Sequence, residues 1–293
     1  MRVAICGILG KMGRKTLTVL QNSGHEVVFG VDTARTDISS SVASANDFSP
    51  GSARFGNAAT ELSDAARDDA INNAPPGSVS PGSSGAAENA FSGVPVYAAF
   101  PAPGGFGKDR KLDGVIDFSA PPALKKTLFF AEASKIPAVI ASTGISEDDR
   151  AALRFAAEHI PVFYAENLSI GIFALKTALA AADAALAGFD RALVETHRKG
   201  KKDAPSGTAL SLLSAMGDPL SVRTVSLREG EVPGTHEVRF FGRNEELCFS
   251  HRAYDGAVFA EGAVKALTFL QGKYAGLYGM KDLFYAPPPA PPS

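Results

Sequence analysis

One short run of the sequence, residues 195–209, combines a possible proton carrier, several cations and a possible anion-binding helix start. The imidazole of His197 and the ammonium of Lys201 are followed there by a predicted helix. Asp203 is the expected cap of that helix, and Pro205 lies in its first turn. Because a helix start carries partial positive charge and free N–H groups, the run predicts a site for a small acidic molecule. The alternative is a solvated basic loop that leads into a surface helix.

The amino terminus has the pattern of a dinucleotide site. An apolar run over residues 2–6 is typical of a buried parallel strand, and Gly7-Ile-Leu-Gly-Lys-Met-Gly13 follows it directly. A helical pattern and a second strand come next, and that strand ends on Asp32. In such a unit the glycines let a pyrophosphate approach the helix start, and the acid accepts hydrogen bonds from ribose hydroxyls. The alternative is a glycine-rich turn that binds nothing.

Two charged residues bear on which nucleotide this turn would accept. The carboxylate of Asp32 would repel a 2′-phosphate and therefore favours NADH. Lys11, inside the turn, carries a positive charge that could bind such a phosphate. The sequence therefore leaves both NADH and NADPH open.

Composition limits the class of protein. With 293 residues, 45% of them hydrophobic, the chain can form two domains with cores of their own. A net charge of −2 argues against a nucleic-acid partner. The sequence has neither an apolar stretch long enough to span a membrane nor a signal-peptide core, and no His/Cys spacing typical of a metal site. Cys6 and Cys248 lie in apolar strand-like runs, so we expect packed thiols and a cytoplasmic protein.

The element pattern divides the chain. Strands alternate with helices over residues 1–167, which predicts an α/β domain with a Rossmann-like, doubly wound parallel sheet. Residues 168–275 predict a smaller α+β domain, and residues 276–285 are expected to return to the first domain. A stretch at about 36–110 is rich in Ser, Ala, Gly and Pro and predicts a disordered insertion, and residues 286–293 predict a disordered tail.

Six motifs together resemble the dihydrodipicolinate reductases, also called 4-hydroxy-tetrahydrodipicolinate reductases. These are nicotinamide-dependent enzymes of the diaminopimelate route to lysine. The most specific motif runs from Lys201 to Ala209. The resemblance implies that the second domain binds substrate and forms an open mixed sheet that builds a homotetramer. The motifs are Gly7–Gly13, Val115–Ser119, Ala141–Gly144, Ala165–Gly171, residues 195–209 and Phe259–Ala263.

The same resemblance implies roles for individual residues. His197 and Lys201 match an acid–base pair, with Lys201 the expected proton donor because neighbouring cations favour release of its proton. Gly207 and Thr208 match positions that hold a carboxylate of a cyclic dicarboxylate substrate. The residues that match positions contacting NADH or NADPH are Gly7, Ile8, Leu9, Gly10, Lys11, Met12, Asp32, Ala141, Ser142, Thr143, Ala165, Glu166, Asn167 and Leu168.

Three positions depart from the family pattern. Arg198 stands where a second histidine usually touches the substrate. An arginine can pair with a carboxylate, even through two hydrogen bonds, but it cannot act as a neutral acid or base. Glu166 replaces a residue that is commonly small beside the nicotinamide, and Gly256 replaces a common arginine.

Other functions stay open from the sequence. One is a different Rossmann reductase of a small acidic substrate, such as an aspartate-derived semialdehyde. Another is a non-catalytic pyridine-nucleotide sensor, which the substitution at Arg198 makes conceivable. His159, His236 and His251 are further candidates for acid–base work.

Overall fold

The computed structural model describes residues 1–32, 93–101 and 111–285, and these residues form two sheets with flanking helices. A 3-10 turn at Pro219–Ser221 precedes β8. The elements along the chain are β1 (Arg2–Cys6), α1 (Lys11–Asn22), β2 (Glu26–Val31), β3 (Val96–Tyr97), β4 (Gly114–Asp117), α2 (Pro121–Ser134), β5 (Ala138–Ile140), α3 (Glu147–Ala157), β6 (Pro161–Tyr164), α4 (Ile170–Ala185), β7 (Asp190–His197), α5 (Gly207–Leu213), β8 (Arg223–Arg228), β9 (Gly234–Phe241), β10 (Glu246–Ala253), α6 (Ala257–Leu270), β11 (Gly276–Tyr278) and α7 (Met280–Tyr285).

The first sheet has seven strands in the order β11-β6-β5-β4-β1-β2-β3. Every pair in it is parallel, and the strands are rich in fully buried Val, Ile and Phe. Parallel strands covered on both faces need such continuous apolar runs. Two separate buried clusters, one on each face, fill the space between sheet and helices. The predicted Rossmann-like α/β fold is confirmed.

The second sheet is smaller and mixed, with the order β10-β9-β7-β8. Strands β7 and β8 are parallel, whereas β9 is antiparallel to both β7 and β10. Helices α4 and α5 cover one face around Leu193 and Phe240. On the opposite face Val225, Leu227 and Phe241 are 40, 44 and 38% exposed, so this face is open, as expected.

Helix α6 packs differently from the prediction. Its buried residues Ala263 and Leu267 share a core with Val3 and Ile5 of β1, so α6 lies on the seven-stranded sheet. The domain boundary expected at residue 275 stays a prediction. The apolar pattern of α6 indicated burial, but it did not indicate which sheet would bury it. We propose that the second domain ends before α6.

One part of the predicted insertion is ordered. Strand β3 pairs in parallel with the edge of β2, and Val94 and Val96 are buried in the same core as β1. The prediction of disorder for 36–110 is therefore wrong at 93–101, because a short apolar segment is hidden in a long polar stretch. The rest of that stretch lies outside the described residues, as does the predicted tail at 286–293.

Two further sequence expectations concern cysteines and membranes. Cys6 and Cys248 are both free thiols, and only Cys6 is buried. Burial raises the pKa of Cys6 to about 12, so this residue stays a neutral packed thiol. No helix in the described part of the chain is long and apolar enough to cross a membrane.

Candidate functional site

The glycine turn brings the backbone close to itself and to a neighbouring loop. Gly7 has φ 77°, and a Cβ there would lie 2.9 Å from the nitrogen of Ser119. A Cβ at Gly13 would lie 2.1 Å from the Gly7 oxygen. Gly10 is the N-cap of α1 and supplies no side-chain hydrogen bond to it. The turn thus forms a glycine-containing cradle in front of a helix start, which fits the pyrophosphate of a dinucleotide.

Asp32 is tied to this cradle. It follows β2, and its carboxylate accepts a hydrogen bond from the N–H of Leu9 at 3.1 Å. The acid therefore lies beside the turn, as a ribose-binding acid must. Lys11 is exposed at the first position of α1.

The loops that follow the central strands are linked by hydrogen bonds. Buried Asp117 accepts from the N–H of Ser119 at 2.7 Å and also from the hydroxyls of Ser119 and Thr127. The hydroxyl of Ser142 donates to the Ser119 oxygen at 3.2 Å. The 141–143 loop therefore lies beside the 118–119 loop, which contacts the glycine turn. Thr143 is exposed at this edge.

The loop at 165–168 connects the two domains. Asn167 Nδ2 donates to the Thr208 hydroxyl at 3.0 Å, across the cleft between the sheets. Asn167 Oδ1 accepts from the N–H of Ser169 at 2.9 Å, which fixes its amide. Glu166 is exposed and accepts from the Tyr164 hydroxyl at 3.0 Å, with Arg150 at 3.4 Å. The predicted nucleotide loop and the predicted substrate loop therefore meet.

Strand β7 contributes two titratable residues to one face. Since side chains alternate along a strand, Glu195 and His197 lie on the same covered face, and His236 of β9 pairs in register with Glu195. All three are buried. The Glu195 carboxylate bonds to His197 Nδ1 and, at 2.7 Å, to Arg228. It also accepts from the N–H of Ser206 at 3.3 Å.

This network determines the charges in the site. Burial alone would raise the pKa of Glu195, but hydrogen bonds from Arg228, Ser226 and His197 outweigh it and lower the pKa to about 2. Burial lowers the pKa of His197, and Glu195 offsets only part of that effect. Burial lowers the pKa of His236 to about 4, and the charge that His197 carries when it is protonated adds to this effect. At neutral pH the site therefore holds an ionised Glu195 and two neutral imidazoles.

Helix α5 begins later than predicted. Its cap is Ser206, whose hydroxyl oxygen accepts from the N–H of Ala209 at 3.1 Å and lies 3.3 Å from His236 Nε2. Asp203 instead pairs with the ammonium of Lys201 at 2.8 Å. The prediction of Asp203 as the cap is therefore wrong. A serine directly before the first helical residue supplies the capping oxygen, and Asp203 lies too far upstream.

A cavity of about 470 Å³ collects most of the predicted substrate residues. Its lining includes His197, Arg198, Lys201 and Thr208 from the second domain. Phe259 of α6, which packs on the nucleotide-domain sheet, also lines it, so the cavity lies between the domains. Gly207 is exposed at the start of α5 and is not among the lining residues.

The sequence prediction missed Glu195 and Arg228. Glu195 could have been found, because it lies two residues before His197, and an extended chain places such side chains on one face. Arg228 could not, since its position depends on the pairing of β8 with β7. His236 was one of several candidate histidines, and only the register of β9 selects it.

Donor atoms of Glu195, His197 and His236 lie within 4.8 Å of one another, and this chemistry would suit a metal ion. One oxygen of Glu195 already accepts from Arg228, however, and the other from His197. We therefore interpret the cluster as a hydrogen-bond network.

Comparison with known proteins shows the family of the chain. A family model described as dihydrodipicolinate reductase, C-terminus, matches residues 171–284, and the corresponding N-terminus model matches residues 88–168. The chain belongs to the dihydrodipicolinate reductase family. The N-terminal match begins after the glycine turn, so the cradle at Gly7–Gly13 rests on its own geometry.

Individual relatives cover much of the chain. A 4-hydroxy-tetrahydrodipicolinate reductase of Caldanaerobacter subterraneus is 39% identical over 194 residues, or 59% of this chain and 77% of the relative. One from Xanthomonas euvesicatoria is 40% identical over 192 residues, or 65% and 79%. A dipicolinate-bound dihydrodipicolinate reductase from a Paenisporosarcina species matches 97% of this chain and 99% of its own, with TM-score 0.63 and 18% identity. The last comparison confirms the fold.

The cradle gives a first prediction. In Gly10→Ala the added methyl group stands where the pyrophosphate must approach the backbone, so we expect the Kd for NADH to rise about tenfold or more. Fluorescence titration measures this Kd. Gly217→Ala is the control, because its Cβ would lie 3.5 Å from Asp183, an ordinary contact. Equal NADH affinity in both variants would contradict a pyrophosphate site at the turn.

Proposed function

We propose that this chain is a cytoplasmic NAD(P)H-dependent reductase in lysine biosynthesis through diaminopimelate. It reduces 4-hydroxy-tetrahydrodipicolinate to tetrahydrodipicolinate. The observation that carries the proposal is the interdomain cavity, where His197, Lys201 and Thr208 lie beside the predicted nucleotide loop. Membership of the dihydrodipicolinate reductase family supports the same reaction.

The cavity suits a substrate with two carboxylates. Arg198, Lys201 and Lys202 give its lining a positive charge that only Asp203 offsets. The Thr208 hydroxyl and the N–H groups at the start of α5 can hold one carboxylate, and the Arg198 guanidinium can pair with the other. The Arg198 guanidinium would thus contact a substrate carboxylate at a position where the family usually has a histidine.

His197 and Lys201 divide the proton chemistry. The 4-hydroxyl group must first leave as water, which gives the unsaturated dihydrodipicolinate ring. When bound, the reduced nicotinamide would supply a hydride to a ring carbon of that cyclic imine or enamine, and the neighbouring position would then take a proton. The Lys201 ammonium, held by Asp203 at 2.8 Å, is the proton donor. His197 is neutral at neutral pH because burial lowers its pKa, so its ring accepts a hydrogen bond or relays a proton.

Removal of the Lys201 ammonium tests the function. With precursor freshly generated by the coupled synthase, we expect Lys201→Ala to lower kcat roughly a hundredfold or more, as loss of a general acid does. The decrease of NADH absorbance measures the rate. Lys199→Ala is the matched control, because Lys199 is exposed on the same loop but does not line the cavity.

Three outcomes would contradict parts of the proposal. A loss below about threefold in Lys201→Ala removes Lys201 from the mechanism, since a general acid contributes far more. Tight NADH binding by the native chain without turnover favours a nucleotide sensor. Turnover of an aspartate-derived semialdehyde instead favours a different Rossmann reductase.

We also propose that the enzyme uses both NADH and NADPH. Asp32 lies beside the turn, as recognition of ribose hydroxyls requires, and exposed Lys11 is available to a 2′-phosphate. We expect Lys11→Ala to raise the KM for NADPH about fivefold, which corresponds to about 1 kcal/mol, and to leave the KM for NADH nearly unchanged. Lys126→Ala, an exposed lysine of α2, is the control. A parallel rise in both KM values would contradict this role of Lys11.

We propose that the open face of the second sheet builds a homotetramer. Exposed Val225, Leu227 and Phe241 on that face support this, because apolar strand residues favour a protein partner. Light scattering should give about four times the chain mass of 30.4 kDa, and Val225→Asp should lower it. Phe155→Asp, on an exposed part of α3, should not. A native mass of 30.4 kDa would contradict the proposal.

A further inference from the structure

We propose that Glu195 is a positioning residue for this reaction. Its carboxylate holds the ring of His197 in one orientation and, at the same time, fixes the start of α5, which carries Thr208. The inference rests on the proposed function and deepens it. It concerns a residue that lines neither the cavity nor the nucleotide cradle.

The first argument is that both carboxylate oxygens are used. Oε2 contacts His197 Nδ1, and Oε1 accepts from Arg228 at 2.7 Å and from the N–H of Ser206 at 3.3 Å. The side chains of Glu195, His197 and Arg228 are 0, 9 and 17% exposed. Because solvent does not reach the Glu195 carboxylate, losing any of these hydrogen bonds would leave part of a buried charge uncompensated, which is costly. The carboxylate therefore holds its partners in place.

The second argument concerns the tautomer of His197. An ionised carboxylate can only accept hydrogen bonds, so Nδ1 must carry the proton of the neutral ring. Nε2 is then the unprotonated nitrogen, and it has no hydrogen-bond partner among the described residues. Gly234, which has no side chain, lies beside this nitrogen, because a Cβ there would be 3.0 Å from Nε2. The ring can therefore present only one nitrogen to the cavity that His197 lines.

The third argument links the ring to the substrate loop. The N–H of Ser206 donates to Glu195, and the Ser206 hydroxyl caps α5. Thr208 lies two residues further, and its hydroxyl is joined to Asn167 at 3.0 Å. One carboxylate thus determines the relative position of the proposed proton carrier and the proposed carboxylate-binding end of α5.

The titratable groups around His197 define what a pH measurement would report. Its ring faces Glu195 on its own strand, Arg228 of β8, His236 of β9 and Lys201 of the following loop, which pairs with Asp203. The pKa of Glu195 is about 2 and that of His236 about 4. Neither group changes charge between about pH 5.5 and 8, so a titration seen in that window comes from neither Glu195 nor His236.

Glu195→Gln tests the proposal, because it removes the charge and keeps the shape. The imidazolium of His197 loses its counter-ion, so we expect its pKa to fall by about one unit or more, which NMR of the five histidines measures. We expect kcat to fall about tenfold, the acid limb of its pH profile to move to lower pH, and the KM for NADH to change less than about twofold. Glu147→Gln, which removes an exposed carboxylate paired with Arg154 at 2.7 Å, is the control and should leave all three unchanged.

Two results would overturn the proposal. One is a folded Glu195→Gln variant whose His197 pKa, pH profile and kcat match those of the native chain. The other is seen in the native protein, whether or not the variant folds: ¹⁵N shifts that place the proton of neutral His197 on Nε2. The NMR readouts need no substrate. If the native chain does not turn over 4-hydroxy-tetrahydrodipicolinate, the proposed function fails while the positioning by Glu195 is still tested.

Discussion

The carboxylate of Glu195 bears a negative charge that water does not reach, and the residues around the cavity compensate it. Arg228 comes from β8, the N–H of Ser206 from the start of α5, and the ring of His197 from the same strand. Burying such a charge is costly unless hydrogen bonds surround it. The folded domain therefore has to bring β7, β8 and the loop before α5 together, and the arrangement of the cavity wall follows from that requirement.

Side-chain contacts join the two domains on either side of the cleft. Asn167 reaches Thr208 on one side, and on the other Lys15 of α1 pairs with Asp255 at 2.7 Å, just before α6. Gly256 is one of the positions that depart from the family pattern. A Cβ there would lie 3.3 Å from the aliphatic part of the Lys15 side chain, so Lys15 lies next to this position. Because α6 returns to the first sheet and contributes Phe259 to the cavity, both domains supply walls to one site.

The features that could be predicted from the sequence are those set by local patterns. The glycine turn, the strand that ends at Asp32 and the alternation of helices and strands depend on near neighbours, so they could be read directly. Three features depend on contacts between residues that are distant in the chain, and a single sequence does not reveal such contacts. They are the sheet on which α6 packs, the pairing of Glu195 with Arg228, and the pairing of β3 with β2. The prediction of the α5 cap was wrong for a smaller reason. Asp203 and Ser206 are both common capping residue types, and only Ser206 directly precedes the first helical residue.

The short strand β3 limits the effect of the length of the chain between β2 and β3 on the stability of the sheet. Its backbone is joined to the end of β2, where the N–H of Asp32 donates to the Tyr97 oxygen at 3.0 Å, and Gly30 donates to Pro95 at 2.9 Å. Both ends of the intervening chain are thus anchored by one ladder of the sheet. The entropy of closing a loop grows only logarithmically, by about 0.6 kcal/mol for each doubling of its length. Evolution could therefore lengthen this connection many times over with little loss of thermodynamic stability in the nucleotide domain.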